Sequence, residues 1–169
     1  NRGGVLRHLA HTEAAVIWSF QRRLRITEYH YNTGHRIRYI FHTILLNRKR
    51  NQYGLHIAVN VFDKGLKIMH LGSVLTNPNV RIGRDCSVHI GTAFVAQGVT
   101  DGAPVIGNDV VVGVGATVLG NILIADGIAI GAAALVNKSF EEEGIAIAGV
   151  PARKISDNGR KMWNRNKSL

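Results

Sequence analysis

The chain has 169 residues, 46% of them hydrophobic, with 19 Gly, 3 Pro and a single cysteine, Cys86. That composition suits one compact domain plus some extra and excludes global disorder and an intrachain disulfide framework. No apolar run reaches the roughly 18 residues that a membrane-spanning helix needs.

The net charge of +10 is unevenly placed: residues 1–50 carry +8, residues 51–150 carry −3 and residues 151–169 carry +5. A nucleic-acid-binding domain would more often carry its basic stripe on the folded body, so no nucleic acid is expected as a partner. Basic flanks read better as solvated helix faces, or as docking surface for an anionic ligand or a membrane surface. No signal peptide is visible, and with one cysteine the chain is expected to be cytoplasmic; it starts at Asn1 without a Met, which leaves a longer native N-terminus open.

Residues 8–25 are predicted helical, with no Gly or Pro and with Leu9, Val16, Ile17 and Phe20 as apolar positions. Residues 35–50 form a clearer amphipathic helix, in which Ile37, Ile40, Phe41, Ile44 and Leu45 share one stripe. Asn32-Thr33-Gly34 separates the two. A helical hairpin over 1–54 that caps the rest of the chain is expected.

From about residue 65 a period of six appears: Ile106, Val112, Val118, Ile124, Ile130 and Val136 recur without a miss. Phe94, Val88 and Ile82 hold the same phase further back. Positions four residues on are small or branched: Val110, Ala116, Ile122, Ile128, Ala134. A period of six fits neither a helix nor an alternating strand. It fits short strands joined by tight corners, three of which close a triangular turn of about 18 residues. Turns stacked about 4.8 Å apart bury each aliphatic residue between its equivalents above and below. The prediction is a mainly β fold, a parallel β-helix of hexapeptide repeats over 55–155, with a loop extruded at 95–105 and a basic tail at 156–169. The helices and the tail are natural covers for its exposed strand edges. Cys86 falls on a small-residue position and is read as packing.

The hexapeptide run, the closing Ala148-Gly149-Val150-Pro151-Ala152-Arg153 and the earlier Gly65-Leu66-Lys67-Ile68-Met69-His70 resemble the serine O-acetyltransferase-like branch of the hexapeptide acyltransferases, over about residues 30–155. The resemblance implies a left-handed coil, a hand that periodicity alone does not supply, since parallel crossovers are usually right-handed. It also implies a homotrimer, acetyl-CoA as co-substrate in the groove between neighbouring β-helices, and no metal.

Acetyl transfer from a thioester to an alcohol needs a base, and a neutral imidazole with a pKa of about 6.5 suits that task. Of eight histidines, His8, His11, His30, His35 and His42 lie on the basic flank and are expected to be solvated or capping, and His56 lies just before the first coil. His70 falls in the six-residue phase (70, 76, 82), where an aliphatic residue would otherwise stand. The resemblance identifies His70 as the base. By the same resemblance Ala96, Val114, Gly115 and Ala132 hold the pantetheine arm, and Arg153 and Lys154, with Lys138 behind them, meet the phosphates.

The rest of the family's site departs here. Met69 replaces an Asp before the base, about Leu55 replaces the Asp that pairs with it, and Gly102-Ala103 replace the Arg-His pair before Pro104 that helps hold the acceptor's carboxylate. Asn60, Asp63 and His89 are expected near the substrate as residues that could orient His70. Overall similarity suggests L-serine as the acceptor; the missing carboxylate clamp suggests a sugar hydroxyl. The rival reading is a non-catalytic β-helix scaffold whose basic helical flank docks a partner or a membrane.

Overall fold

A computed structural model describes residues 12–96, 98 and 102–161. Leu9, His8 and His11, most of the 97–101 loop and the end of the basic tail lie outside the described residues. Helix α1 spans Glu13–Asn32 and α2 spans Arg36–Tyr53, with Thr33-Gly34 as the turn between them. Among the described residues fourteen short strands follow: β1 (Leu55–His56), β2 (Lys67–Ile68), β3 (Val74–Thr76), β4 (Arg81–Ile82), β5 (Ser87–Val88), β6 (Thr92–Val95), β7 (Val105–Ile106), β8 (Val111–Val112), β9 (Thr117–Leu119), β10 (Leu123–Ile124), β11 (Ala129–Ile130), β12 (Leu135–Val136), β13 (Ala146–Gly149) and β14 (Ala152–Ser156). They form three parallel faces. The first is β1-β3-β6-β9-β12, the second is β4-β7-β10, and the third is β2-β5-β8-β11-β13, to which β14 adds an antiparallel edge.

The six-residue beat is the core. Ile82, Val88, Phe94, Ile106, Val112, Val118, Ile124, Ile130 and Val136 are each 4% exposed or less, and Val110, Ala116, Ile128 and Ala134 fill the alternate inward positions. Register explains this. Val88 pairs with Val112, Val112 with Ile130 and Ile130 with Ile147, so one column of aliphatic side chains runs the length of the third face. Each such side chain contributes about 1.5–3 kcal/mol of burial. Cys86 packs in this interior, its Sγ–H directed at the Gly107 carbonyl at 3.2 Å, and burial pushes its thiol up to about 11. The extruded loop leaves between β6 and β7.

The first coil is a sheet edge on all three faces, and the helices cover it. Ile17, Phe20 and Leu24 of α1 and Leu46 of α2 supply the apolar contact. The polar side chains close the open ladder. Arg25 donates to the Phe62 and Asp63 carbonyls, Arg50 to Ile57 and Gln21 to Leu66, while the Glu28 carboxylate accepts from the Asn60 N–H. Part of the basic flank thus serves as capping donors for backbone oxygens that have no next strand. At the other end β14 covers β13, and Arg160, only 2% exposed, reaches back to Asp109 Oδ1 and Ser87 Oγ.

Two sequence expectations change. Helix α1 runs on to Asn32 rather than ending near Arg25, because its second half carries the buried Leu24, Thr27 and Glu28, the last of which accepts the Asn60 N–H of the first coil. The stripe of α2 does not face the coil: Ile37, Ile40, Phe41 and Ile44 are 51–85% exposed, and Leu46 is that helix's buried residue.

Candidate active site

His70 is placed by an irregularity of the first coil. In each later coil the third face turns into the first through three residues: 89–91, 113–115 and 131–133. Between Ile68 of β2 and Val74 of β3 the same corner holds five, residues 69–73. The two added residues break the phase counted back from Ile82. Ile68 is the inward residue, and His70 stands on the corner with its side chain 62% exposed. The expectation that His70 occupies an aliphatic core slot is therefore corrected: corner width, not the beat, decides where it points.

The wide corner meets the start of α1. Thr12 caps that helix by accepting from the Ala15 N–H, and Glu13 follows as its first residue. Glu13 Oε1 accepts the Leu71 N–H at 2.7 Å, and Oε2 lies 3.4 Å from His70 Nδ1. The Leu71 N–H foremost, and then His70, hold the Glu13 carboxyl below its ordinary value, so it is a carboxylate at neutral pH.

Val114, Gly115 and Ala132 share this corner with His70, in the third and fourth coils. At about 4.8 Å per coil, Val114 lies roughly 10 Å along the ridge from His70. Val114 is 49% exposed, and Gly115 takes the left-handed backbone at φ 69°, so the ridge presents small side chains and backbone groups. Ala96 sits elsewhere, at the end of the first face where the extruded loop leaves. Arg153 is exposed on β14, and Lys154 beside it bonds two carboxylates, Glu142 and Asp157, each at 2.6 Å. Lys138 lies over the Phe140 ring, 5.4 Å from its centroid.

Asn60 and Asp63 stand at the two other corners. Both line a cleft of about 680 Å³ with Arg25, Glu28, Arg81 and Asn108, and His70 is not among its lining residues. Asn60 exchanges side-chain hydrogen bonds with Asn32, and Asp63 Oδ1 accepts the Lys64 N–H. His89 is buried in the coil next to that of His70, its Nδ1 2.9 Å from the Val112 carbonyl oxygen. Among the described residues, the side chain that reaches His70 is Glu13, which no sequence motif singles out. Its one visible signal was being one of only two acids in the basic first 50 residues.

No family model matches the chain. It is 30% identical over 118 residues to a serine acetyltransferase of Buchnera aphidicola subsp. Schizaphis graminum, covering 68% of this chain and 43% of that relative. The solved structure of the Brucella abortus serine acetyltransferase in complex with coenzyme A matches with a TM-score of 0.68 at 28% identity, covering 82% of this chain and 55% of that one. The Neisseria gonorrhoeae serine acetyltransferase in complex with serine gives 0.65 at 26% identity, over 79% and 54%. The chain spans about half the length of the curated relatives it matches. It is thus a left-handed parallel β-helix with an N-terminal helical region, similar in sequence and in fold to the serine acetyltransferases, which are hexapeptide-repeat transferases.

Proposed function

We propose that the protein is an acetyl-CoA-dependent O-acetyltransferase in which His70 is the general base. The observation that carries this reading is the widened corner. It holds an exposed imidazole beside a carboxylate, on the ridge whose later coils carry Val114, Gly115 and Ala132. The similarity to serine acetyltransferases, among them one solved with coenzyme A and one with serine, supports the same chemistry.

In the proposed reaction the acceptor hydroxyl gives its proton to His70 as its oxygen takes the acetyl group from the thioester sulfur. The departing thiolate recovers that proton. A positioned base of this kind is worth about 10²–10⁴ in rate. Val114, Gly115, Ala132 and Ala96 would hold the pantetheine arm, largely through backbone groups, and Arg153 would meet the phosphates; Lys154, already paired twice, is the weaker cation for that role. Asn60, Asp63 and His89 remain proposed for the acceptor, although Asn60 and Asp63 line a cleft that His70 does not. Exposed outward aliphatics on the coil faces, Leu75, Val105 and Leu123, fit a homotrimer packed through these faces. L-serine is the first acceptor to test. A sugar hydroxyl is the second, because Gly102-Ala103 supply no carboxylate clamp.

The test is release of free thiol from acetyl-CoA by the full chain, with serine beside a panel of sugars and nucleotide sugars, together with thermal unfolding against coenzyme A. A specific site predicts turnover with at least one acceptor and a melting temperature that rises with ligand concentration. No turnover and no rise at millimolar coenzyme A would overturn the reading. The exposed stripe of Ile37, Ile40, Phe41 and Ile44 beside Arg36 and Arg38 favours a second reading, a scaffold that docks through its helices. That scaffold would keep its binding when His70 is replaced by alanine.

A further inference from the structure

We infer that Glu13, the first residue of α1, is the positioning residue of His70: it fixes the imidazole's tautomer and so couples the seating of the helical cap to the base. This rests on the function proposed above and adds a role to a residue outside the β-helix. The argument starts from donors and acceptors. Glu13 is held as a carboxylate, and a carboxylate only accepts. Its Oε1 is occupied by the Leu71 N–H at 2.7 Å, and its Oε2 faces His70 Nδ1 at 3.4 Å. A neutral imidazole in that position carries its proton on Nδ1 and leaves the Nε2 lone pair, on the ring nitrogen not held by Glu13, available for a substrate proton. Catalytic hydrogen bonds are often long without substrate and tighten on binding. The Leu71 contact also fixes the carboxylate against the backbone next to the base, so the two oxygens act as one clamp with two bites.

The clamp depends on there being two acceptors. Glutamine in place of Glu13 has one. If its carbonyl oxygen keeps the Leu71 N–H, its amide NH₂ faces Nδ1, where it donates and favours the proton on Nε2; only the minority Nδ1–H form then presents a basic Nε2, so the base is weakened rather than abolished. If its carbonyl turns to Nδ1, the Leu71 anchor is lost. Among the described residues, Glu13 is the hydrogen-bond partner of the His70 ring. His89 Nδ1 is directed at the Val112 carbonyl, and Asn60 and Asp63 line the cleft that His70 does not.

The experiment compares Glu13→Gln, Glu13→Ala and His70→Ala in the full chain, with imidazole ¹⁵N shifts of His70 read in the wild type and both Glu13 variants. The wild type should show the Nδ1–H tautomer. Glu13→Gln should shift it to Nε2–H and lower kcat by about 10–100-fold, less than the full contribution of a general base, with KM for acetyl-CoA unchanged. Glu13→Ala should lower kcat similarly. An Nε2–H tautomer in the wild type would overturn the inference whether or not the variants fold. So would wild-type kcat in both Glu13 variants while His70→Ala is inactive, and that result would leave the proposed base standing. Wild-type turnover by His70→Ala would instead remove the base itself.

Discussion

Gly113 opens the same corner two coils on from His70, and the stacking of coils leaves no room for a side chain there. A Cβ built on it would lie 2.7 Å from the Ala132 N and 2.9 Å from both the Gly131 C and the Ile130 O. All three are backbone atoms of the next coil, so no rotamer change relieves the contact. The two coils must part by several tenths of an ångström against the ladder bonds from Gly113 N–H to Ile130 O and from Ala133 N–H to Val114 O, both 2.8 Å. Overpacking of this kind costs about 1–3 kcal/mol, and backbone neighbours place Gly113→Ala toward the upper end. The control is Gly115→Ala two residues on. There a Cβ meets nothing within 4 Å but φ is +69°, so the cost is the left-handed backbone alone, about 1 kcal/mol. For a chain of this size, 1 kcal/mol corresponds to about 2–4 °C in Tm. Thermal unfolding followed by circular dichroism at fixed protein concentration should rank wild type, Gly115→Ala and Gly113→Ala in falling order. A Gly113→Ala protein as stable as wild type, with Gly115→Ala the worse of the two, would refute the coil spacing.

Two other predictions follow from groups inside the coil. Asp126 accepts from both the side chain and the backbone N–H of Asn108, whose Oδ1 in turn accepts the Arg84 N–H, a ladder down one corner. The Asn108 bonds hold the Asp126 carboxyl below its ordinary value. Its contribution is therefore present above the unfolded pKa and is lost as pH falls through the lower folded one. Asp126→Ala should cost about 1 kcal/mol at pH 7, and its gap from wild type should close in acid below about pH 4, as measured by urea unfolding at each pH. A gap that persists unchanged at pH 2 would contradict the assignment. The Cys86 thiol, buried and pushed up to about 11, should resist a disulfide reagent at pH 8 until the chain unfolds; prompt labelling of the folded protein would contradict its burial.

The coil was readable because its order is local. Ile106, Val112, Val118 and Ile124 each meet the same surroundings one turn away, so a short period in the chain becomes a column in space. His70 broke from that logic through two extra residues in the corner 69–73. Insertions of that kind leave the composition unchanged and shift every position counted across them. Glu13 was illegible for a different reason: it lies 57 residues from His70, and only the docking of α1 on the first coil joins them. The α2 stripe shows the limit of periodicity, which marks a helix with an apolar face and is silent on what that face meets. Ile37 and Phe41 are outward because the coil's edge is closed by polar donors such as Arg50, together with Leu46, from the other side of that helix.

The central claim stands or falls on a single substitution at the widened corner. Thiol release from acetyl-CoA, measured with the best acceptor at saturating concentrations for wild type and His70→Ala, should drop by about 10²–10⁴ while the melting temperature stays within a few degrees. A folded His70→Ala protein that turns over at the wild-type rate would contradict it.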